Sequence, residues 1–292
     1  MTADPLFDRA LARRNLARAL RAGAQDFLLR LAVEGICDRL ALVNRGFSAG
    51  LDLGTPTPAL AEALKPRILA RMAPTPETAG GAPLNLVGGE EAQPFAPERF
   101  DLVVSALALQ GVNDLPGAMI QARRALKPDG LFLACLVGGR SLHELRAALA
   151  GAEAELYGGA SPRVAPFADV RDMGALLQRA GFALPVADAE ATLVRYGDFF
   201  ALLADLRAMG AANALFARAR KPASRALFLR AAEIYAEKFA DPDGRLRATF
   251  ELIYASGWAP HESQQKPLRP GSARMRLADA LRGASAGEEP EP

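Results

Sequence analysis

Apolar residues recur at helical spacing from residue 5 to residue 45, at Leu6, Leu11, Leu16 and Leu20 and again at Phe27, Leu28, Leu31, Ile36 and Leu40. That period predicts two helices divided at Gly23, a cap over residues 1–48. The pattern then changes. "AGLDLG" predicts a short strand that passes through a loop into the helix "PALAEAL". "RILARM" and "LNLVGG" predict two further strands, with the surface loop "APTPETAGGAP" between them. "FDLVVSALALQ", from Phe100 to Gln110, is a nearly continuous apolar run, of the kind a strand covered on both faces needs. A helix "LPGAMIQARRAL", a tight turn "KPDG" and a second apolar strand "LFLACLVGG" follow.

Beyond this point the helix signals strengthen. "SLHELRAALAGAEAELYGG" opens with Ser141 and Glu144 at capping-box spacing and closes at Gly158. "VRDMGALLQRAGF" predicts another helix, and "VADAEATLVRY" alternates as a strand. Two helices between about Phe199 and Phe239, a helical insertion over about 199–240, precede the closing strand "RLRATFELIYASGW". The last two strands are therefore expected to pair antiparallel at one edge. Strands alternating with helices specify an α/β, doubly wound, mostly parallel sheet. The main domain is expected over 49–260 and a C-terminal extension over 261–292, its polar end "RGASAGEEPEP" disordered.

Composition narrows the functional classes. In 292 residues, 50% of them hydrophobic, there is material for a sizeable core, and a net charge of +2 with no basic run excludes a nucleic-acid stripe. Cys37 and Cys135 are far apart, and the second lies in an apolar run, which argues for a reducing compartment. His143 and His261, the only two histidines, lack partners at ligand spacing, so no metal site is expected. No apolar run is long enough for a membrane span. The Arg-rich opening is similar to a mitochondrial presequence, but Asp4, Asp8 and Asp26 oppose that reading, and a cytoplasmic location is expected.

The order of strand, loop and helix around "LDLG", "FDLVVSALAL" and "NDLPGAMIQARRALKPDGLFLACLVGG" resembles the Rossmann-like fold of S-adenosylmethionine-dependent methyltransferases. "LFDRALARR", "GGRSLHELR", "SPRVAPFADVRDMGALLQRAGF", "DLRAMGAANA" and "GWAPHESQQKPLRPGSA" make the resemblance more specific. They are similar to the methyltransferase-like assembly factors of respiratory complex I, relatives of the malonyl carrier-protein O-methyltransferases. The resemblance spans about residues 5 to 280 and implies a protein partner, an iron-sulfur-carrying subunit of complex I. It also implies an adenosylmethionine-type cleft and, in the family, hydroxylation of an arginine.

At that cleft the chain departs from the family in several places. The second and third glycines of the cofactor loop fall at Pro56 and Pro58, where a fixed φ, no N–H and a bulky ring oppose cofactor approach. Between Glu62 and Glu77 there is no acid to take the ribose hydroxyls. Gly89 stands where the family has an Asp, leaving Glu90 and Glu91 after it, and Gln110-Gly111 replaces a His-Trp pair. Asp52, Gly54, Thr55, Glu90 and Glu91 are thus read as vestigial cleft positions, and no cofactor is expected. Each lost hydrogen bond to a charged group removes about 1.5 to 3 kcal/mol.

The expected function is that of a pseudoenzyme, a non-catalytic assembly factor. The alternative is an active methyltransferase or arginine-modifying enzyme that holds adenosylmethionine by another loop conformation through Thr55 and Thr57. Asp52 is equally a loop-capping acceptor. His261 is a catalytic candidate within "HES", although neighbours in an extended segment point to opposite faces. Arg163, His261 and Glu262 are candidates for partner or substrate contact, with a loop-anchoring ion pair the other reading for Arg163. His143 is read as a surface helix residue.

Overall fold

A computed structural model describes residues 4–65 and 67–265. Helices α1 (Arg9–Arg21) and α2 (Phe27–Ala41) precede β1 (Gly50–Leu53), α3 (Ala59–Ala63), β2 (Ile68–Ala73), β3 (Leu84–Val87) and β4 (Phe100–Ala106). Then come α4 (Leu115–Ala125), β5 (Leu126–Val137), α5 (His143–Tyr157), α6 (Val170–Arg179), β6 (Ala183–Tyr196), α7 (Phe199–Ala208), α8 (Arg225–Phe239) and β7 (Leu246–Trp258). The chain divides into a large unit ending at Pro260 and a small one beginning at His261.

The seven strands lie in the order β3-β2-β1-β4-β5-β7-β6. β1 to β5 run parallel, and β7 is antiparallel to both β5 and β6. This is the doubly wound, mostly parallel sheet that the alternating pattern demands, with the antiparallel pair at one edge. β4 and β5 lie side by side, and Leu102, Val103, Val104, Phe132 and Ala134 are fully buried. The continuous apolar runs follow from this placement, because helices cover both faces. One face carries α2, α5, α7 and α8 around Leu133, Phe250 and Tyr254. The other carries α4 and α6 around Val103, Phe132 and Ile253. Truncating a residue such as Leu133 to Ala would cost about 2–5 kcal/mol.

Local signals were overridden at three places. Ser141 and Glu144 form no capping box: α5 begins after Leu142, whose φ is 55°, with no side-chain cap. Instead Ser141 Oγ accepts from the Glu251 N–H at 2.8 Å, and the buried Glu144 accepts from Thr249 N–H at 3.2 Å and from its hydroxyl at 2.5 Å. Both side chains serve β7, whose backbone they satisfy across more than a hundred residues of sequence. Gly158, at φ 73°, does close the helix in the left-handed conformation.

"KPDG" does not end one element and start another. Lys127 to Gly130 form an excursion inside β5, between Leu126, paired with Phe100, and Leu131, paired with Leu102. The two N-terminal helices also differ in role. α1 reaches the C-terminal ends of the strands, whereas α2 packs on the sheet face with Ala32 and Ile36 fully buried.

Candidate functional site

The C-terminal ends of the parallel strands form the place where an open α/β sheet binds ligands. β1 ends at Leu53, and Gly54 turns the chain at φ 78°. Thr55 is fully buried, and its hydroxyl accepts from the Ala106 N–H at 3.1 Å, tying the loop to the end of β4. Pro56, Thr57 and Pro58 follow, half-buried, and α3 starts with Pro58 as its N-cap.

Beneath this loop lies a charged pair. Arg71 of β2 and Asp52 of β1 are both fully buried, with Arg71 Nε donating to Asp52 Oδ2 at 2.9 Å. Arg71 Nη2 donates to Thr55 O at 2.6 Å, and Nη1 donates to Thr78 O. One guanidinium therefore joins the β1 end, the loop after it and the turn after β2. Burial pushes the Asp52 carboxyl up to about 6, against the opposing pull of Arg71 and Thr55. Asp52 thus takes part in this ion pair and also accepts from Thr55 of the loop, as a loop-capping acceptor would.

A second pair lies above Gly54. Glu90 is 3% exposed, and its carboxylate receives the Arg9 guanidinium from α1. Arg9 Nη1 also donates to Gly111 O at 2.7 Å. Burial raises the Glu90 pKa, while Arg9 and Arg13 oppose the rise. A methyl group added at Gly54 would lie 2.8 Å from Glu90 Cγ, so that carboxylate side chain fills the cradle a glycine leaves open. Glu91 turns away and accepts from the N–H groups of Asn113 and Asp114.

Asp52, Gly54, Thr55 and Glu90 thus come together, and Glu91 does not join them. Arg163 forms a loop-anchoring ion pair with Glu153 at 2.6 Å and also lines a cavity. That cavity, about 380 Å³, lies among α1, α5, α7 and the loop carrying Arg163. Its walls include Leu145, Leu149, Phe167, Leu206 and Phe228, with Arg207 among them and, among the described residues, no carboxylate. A smaller cavity of about 150 Å³ is walled by Leu109, Val112, Leu115 and Leu136.

In the small unit, residues 261–265 form a turn, not an extended segment. His261 Nδ1 and Ser263 Oγ therefore meet at 2.7 Å, and Glu262 is exposed between them. His143 is exposed on α5, its Nδ1 3.1 Å from Arg140 O. Among the described residues no cluster of three potential metal ligands occurs, and no helix is long and apolar enough to cross a membrane.

Sequence reasoning missed Arg71 and Arg9. Arg71 carried a signal, a cation inside the short apolar strand "RILARM" that burial obliges to find an anion. Arg9 carried none, since Glu90 is 81 residues away.

Residues 51–134 match the family model described as a methyltransferase domain. The chain is 36% identical over 286 residues to "Arginine-hydroxylase NDUFAF5, mitochondrial" of Danio rerio, covering 94% of this chain and 89% of that protein. It is 34% identical over 304 residues to the malonyl-[acyl-carrier protein] O-methyltransferase of Methylovorus sp. (strain MP688), covering 96% of each. Among solved structures, a Bacillus halodurans C-125 protein provisionally assigned as a methyltransferase superposes with TM-score 0.54 at 18% identity. It covers 78% of this chain and 99% of that one, a likeness of fold.

Proposed function

Because this chain belongs to the methyltransferase-like assembly-factor family of respiratory complex I, within the S-adenosylmethionine-dependent methyltransferase superfamily, we propose that it serves complex I as a non-catalytic factor that no longer binds adenosylmethionine. The observation that carries this reading is the filled cleft. Glu90, held by Arg9, occupies the space above Gly54, and Arg71 neutralises Asp52 and takes the loop carbonyl of Thr55. The residues present do not fit the cofactor. Pro56 and Pro58 offer it no N–H groups, and the one buried acid nearby besides Asp52 is already paired. Displacing Glu90 would leave Arg9, among the described residues, with the Gly111 carbonyl alone, and parting a buried charge pair costs about 3–5 kcal/mol.

The rival reading is an arginine-modifying enzyme, favoured by the name of the Danio rerio relative. The 380 Å³ cavity would be its substrate site. Its lining speaks against a guanidinium guest, because among the described residues it holds Arg207 and no carboxylate that would receive one, while Arg163 is already paired with Glu153. An active methyltransferase on a protein or carrier-bound acyl group meets the same filled cleft. Partner identity is read only as far as a complex I subunit, and a cytoplasmic location stays a proposal beside relatives whose names include "mitochondrial".

Two measurements test the reading. A deletion strain should lose assembled complex I, read as NADH:quinone activity and native-gel abundance, and unchanged levels would remove the assembly role. Calorimetry on the purified chain should show no heat with adenosylmethionine, and micromolar binding would replace this reading with the enzymatic one.

A further inference from the structure

Two segments singled out in the sequence, "SPRVAPF" (161–167) and "DLRAMGAANA" (205–214), supply none of the groups that fill the cleft. They meet instead at the cavity of about 380 Å³. The first gives its walls Arg163, Val164, Ala165 and Phe167, and the second gives Leu206, Arg207 and residues 210–214. Asn213 fastens one segment to the other, its Nδ2 donating to Pro162 O at 3.0 Å. Asp52, Gly54, Thr55 and Glu90 do not border this space, so it is a place apart from the filled cleft.

The polar wall residues differ in what they have left to offer a guest. Arg163 is engaged by Glu153 at 2.6 Å. Asn213 is engaged at both ends, since its Oδ1 accepts from Leu215 N–H at 3.0 Å. Gln110 Nε2 donates to Leu107 O at 2.8 Å, which leaves its Oε1 buried without a partner among the described residues, an acceptor that repels an anion. Arg207 is different. It shares one face of α7 with Leu203 and Leu206 by helical spacing, and all three line the cavity. Leu206 is buried and Arg207 exposed, so the arginine stem runs along the wall and its guanidinium stands at the mouth. Among the described residues that guanidinium makes no ion pair and no hydrogen bond. Further along the same segment, the backbone N–H groups of Ala212, Asn213 and Ala214 donate to no group among the described residues. A guanidinium with a run of unclaimed N–H groups makes an electropositive rim, the combination that receives an anion.

We propose that this cavity binds an apolar monocarboxylate, a fatty-acid-like guest whose carboxylate pairs with Arg207 and the N–H groups of residues 212–214 and whose chain lies against Leu145, Leu149 and Phe228. Each part of that description has a cause. The volume, about 380 Å³, falls among the small-molecule sites of about 300–1,000 Å³, which combine mostly apolar walls with a few polar groups that fix orientation. One uncommitted cation balances one negative charge. A phosphate dianion or a dicarboxylate would keep a second charge without a partner against apolar walls. A cation finds no carboxylate among the described wall residues, and a neutral chain leaves the electropositive rim unused.

The test titrates octanoate, octan-1-ol and acetate into the full chain by calorimetry. Octanoate should bind, octan-1-ol should bind at least about tenfold more weakly for want of a charge, and acetate should give no heat for want of a chain. Arg207→Met keeps the stem and removes the guanidinium, so octanoate should weaken by about tenfold or more while octan-1-ol changes by less than about threefold. Arg207→Lys keeps the charge and should hold octanoate more tightly than Arg207→Met does. The three-probe comparison on the parent chain stands by itself should the methionine variant not fold. No heat with octanoate, equal affinity for octan-1-ol, an acetate affinity matching that of octanoate, octanoate binding unmoved by Arg207→Met, or a lysine variant no better than the methionine one would each overturn the site. None of these readouts depends on complex I levels or on adenosylmethionine, so failure of this site and failure of the assembly reading are separately visible.

Discussion

Replacing Arg71 with methionine tests the claim that the floor of the cleft is an internal ion pair. The side chains are of similar length, so the change removes charge and donors more than volume. Asp52 is left fully buried without its cation, which costs about 3–5 kcal/mol when one partner of a buried pair is deleted. Thr55 O and Thr78 O lose their donors as well, at about 1–3 kcal/mol for each acceptor left unsatisfied. Such terms do not simply add, and a loss of about 4 kcal/mol or more is expected near neutral pH.

The pH dependence sharpens the test. Burial holds the Asp52 carboxyl at about 6, above the 3.8 of an unperturbed aspartate. Between those values the native state binds more protons than the unfolded one, so this group makes stability fall as pH rises from about 4 to about 6 and level off above. Removing Arg71 removes the charge that opposes the rise, so the folded pKa moves up and the falling window extends above 6. Urea titrations of the variant and the parent should therefore show a larger difference at pH 8 than at pH 5. The double variant Asp52→Leu with Arg71→Met should recover much of the loss, because neither charge is then stranded. A single-variant loss under about 1 kcal/mol, or one independent of pH, would refute the argument and mean that water reaches the pair.

Adenosylmethionine should remain unbound by calorimetry in Pro56→Gly with Pro58→Gly, because the ribose acid is still missing. Weak binding should need an added acid near Met72, and binding by the two glycines alone would overturn the accounting. Glu144→Gln should lower stability by about 1–3 kcal/mol in chemical denaturation, through its bonds to Thr249 in β7 and not through a helix cap. An effect confined to α5 fraying in hydrogen exchange would show the opposite. Arg163→Ala should lower the thermal midpoint by freeing Glu153, which also accepts from Ser161 N–H at 2.7 Å and from its hydroxyl at 2.6 Å, and an unchanged midpoint would make Arg163 a contact residue only.

How far the chain could be read varies with the range of the forces involved. The runs 100–110 and 131–137 announced two-sided burial because they are apolar almost throughout, Asp101, Ser105 and Gln110 being the polar positions of the first, and the structure places both strands centrally. The antiparallel pair β6 and β7 was announced by the helical insertion that separates them in place of a simple crossover, and the alternation of "VADAEATLVRY" marked β6. Ser141 and Glu144 misled because their spacing is a local pattern, while the donors they satisfy lie on β7. The site was harder still. Pro56 and Pro58 disclosed that the loop had changed, but the groups that fill the cleft, Arg9 and Arg71, come from elements whose approach only the folded sheet defines.

The position of β7 bears on how the polypeptide emerges from the ribosome. β7 is the last strand among the described residues, yet it lies between β5 and β6, pairing with both. Until Trp258 has been synthesised, β5 offers an unpaired apolar edge, and β6 has no neighbour at all. A nascent chain in that state presents the exposed edges from which intermolecular pairing starts. The helices α7 and α8 must also fold before the gap can be closed, since they connect the two strands. Premature stops before Leu246 should thus yield aggregating fragments instead of a smaller folded protein, and the interval between synthesis of Tyr196 and of Trp258 is the one in which this chain depends most on chaperones.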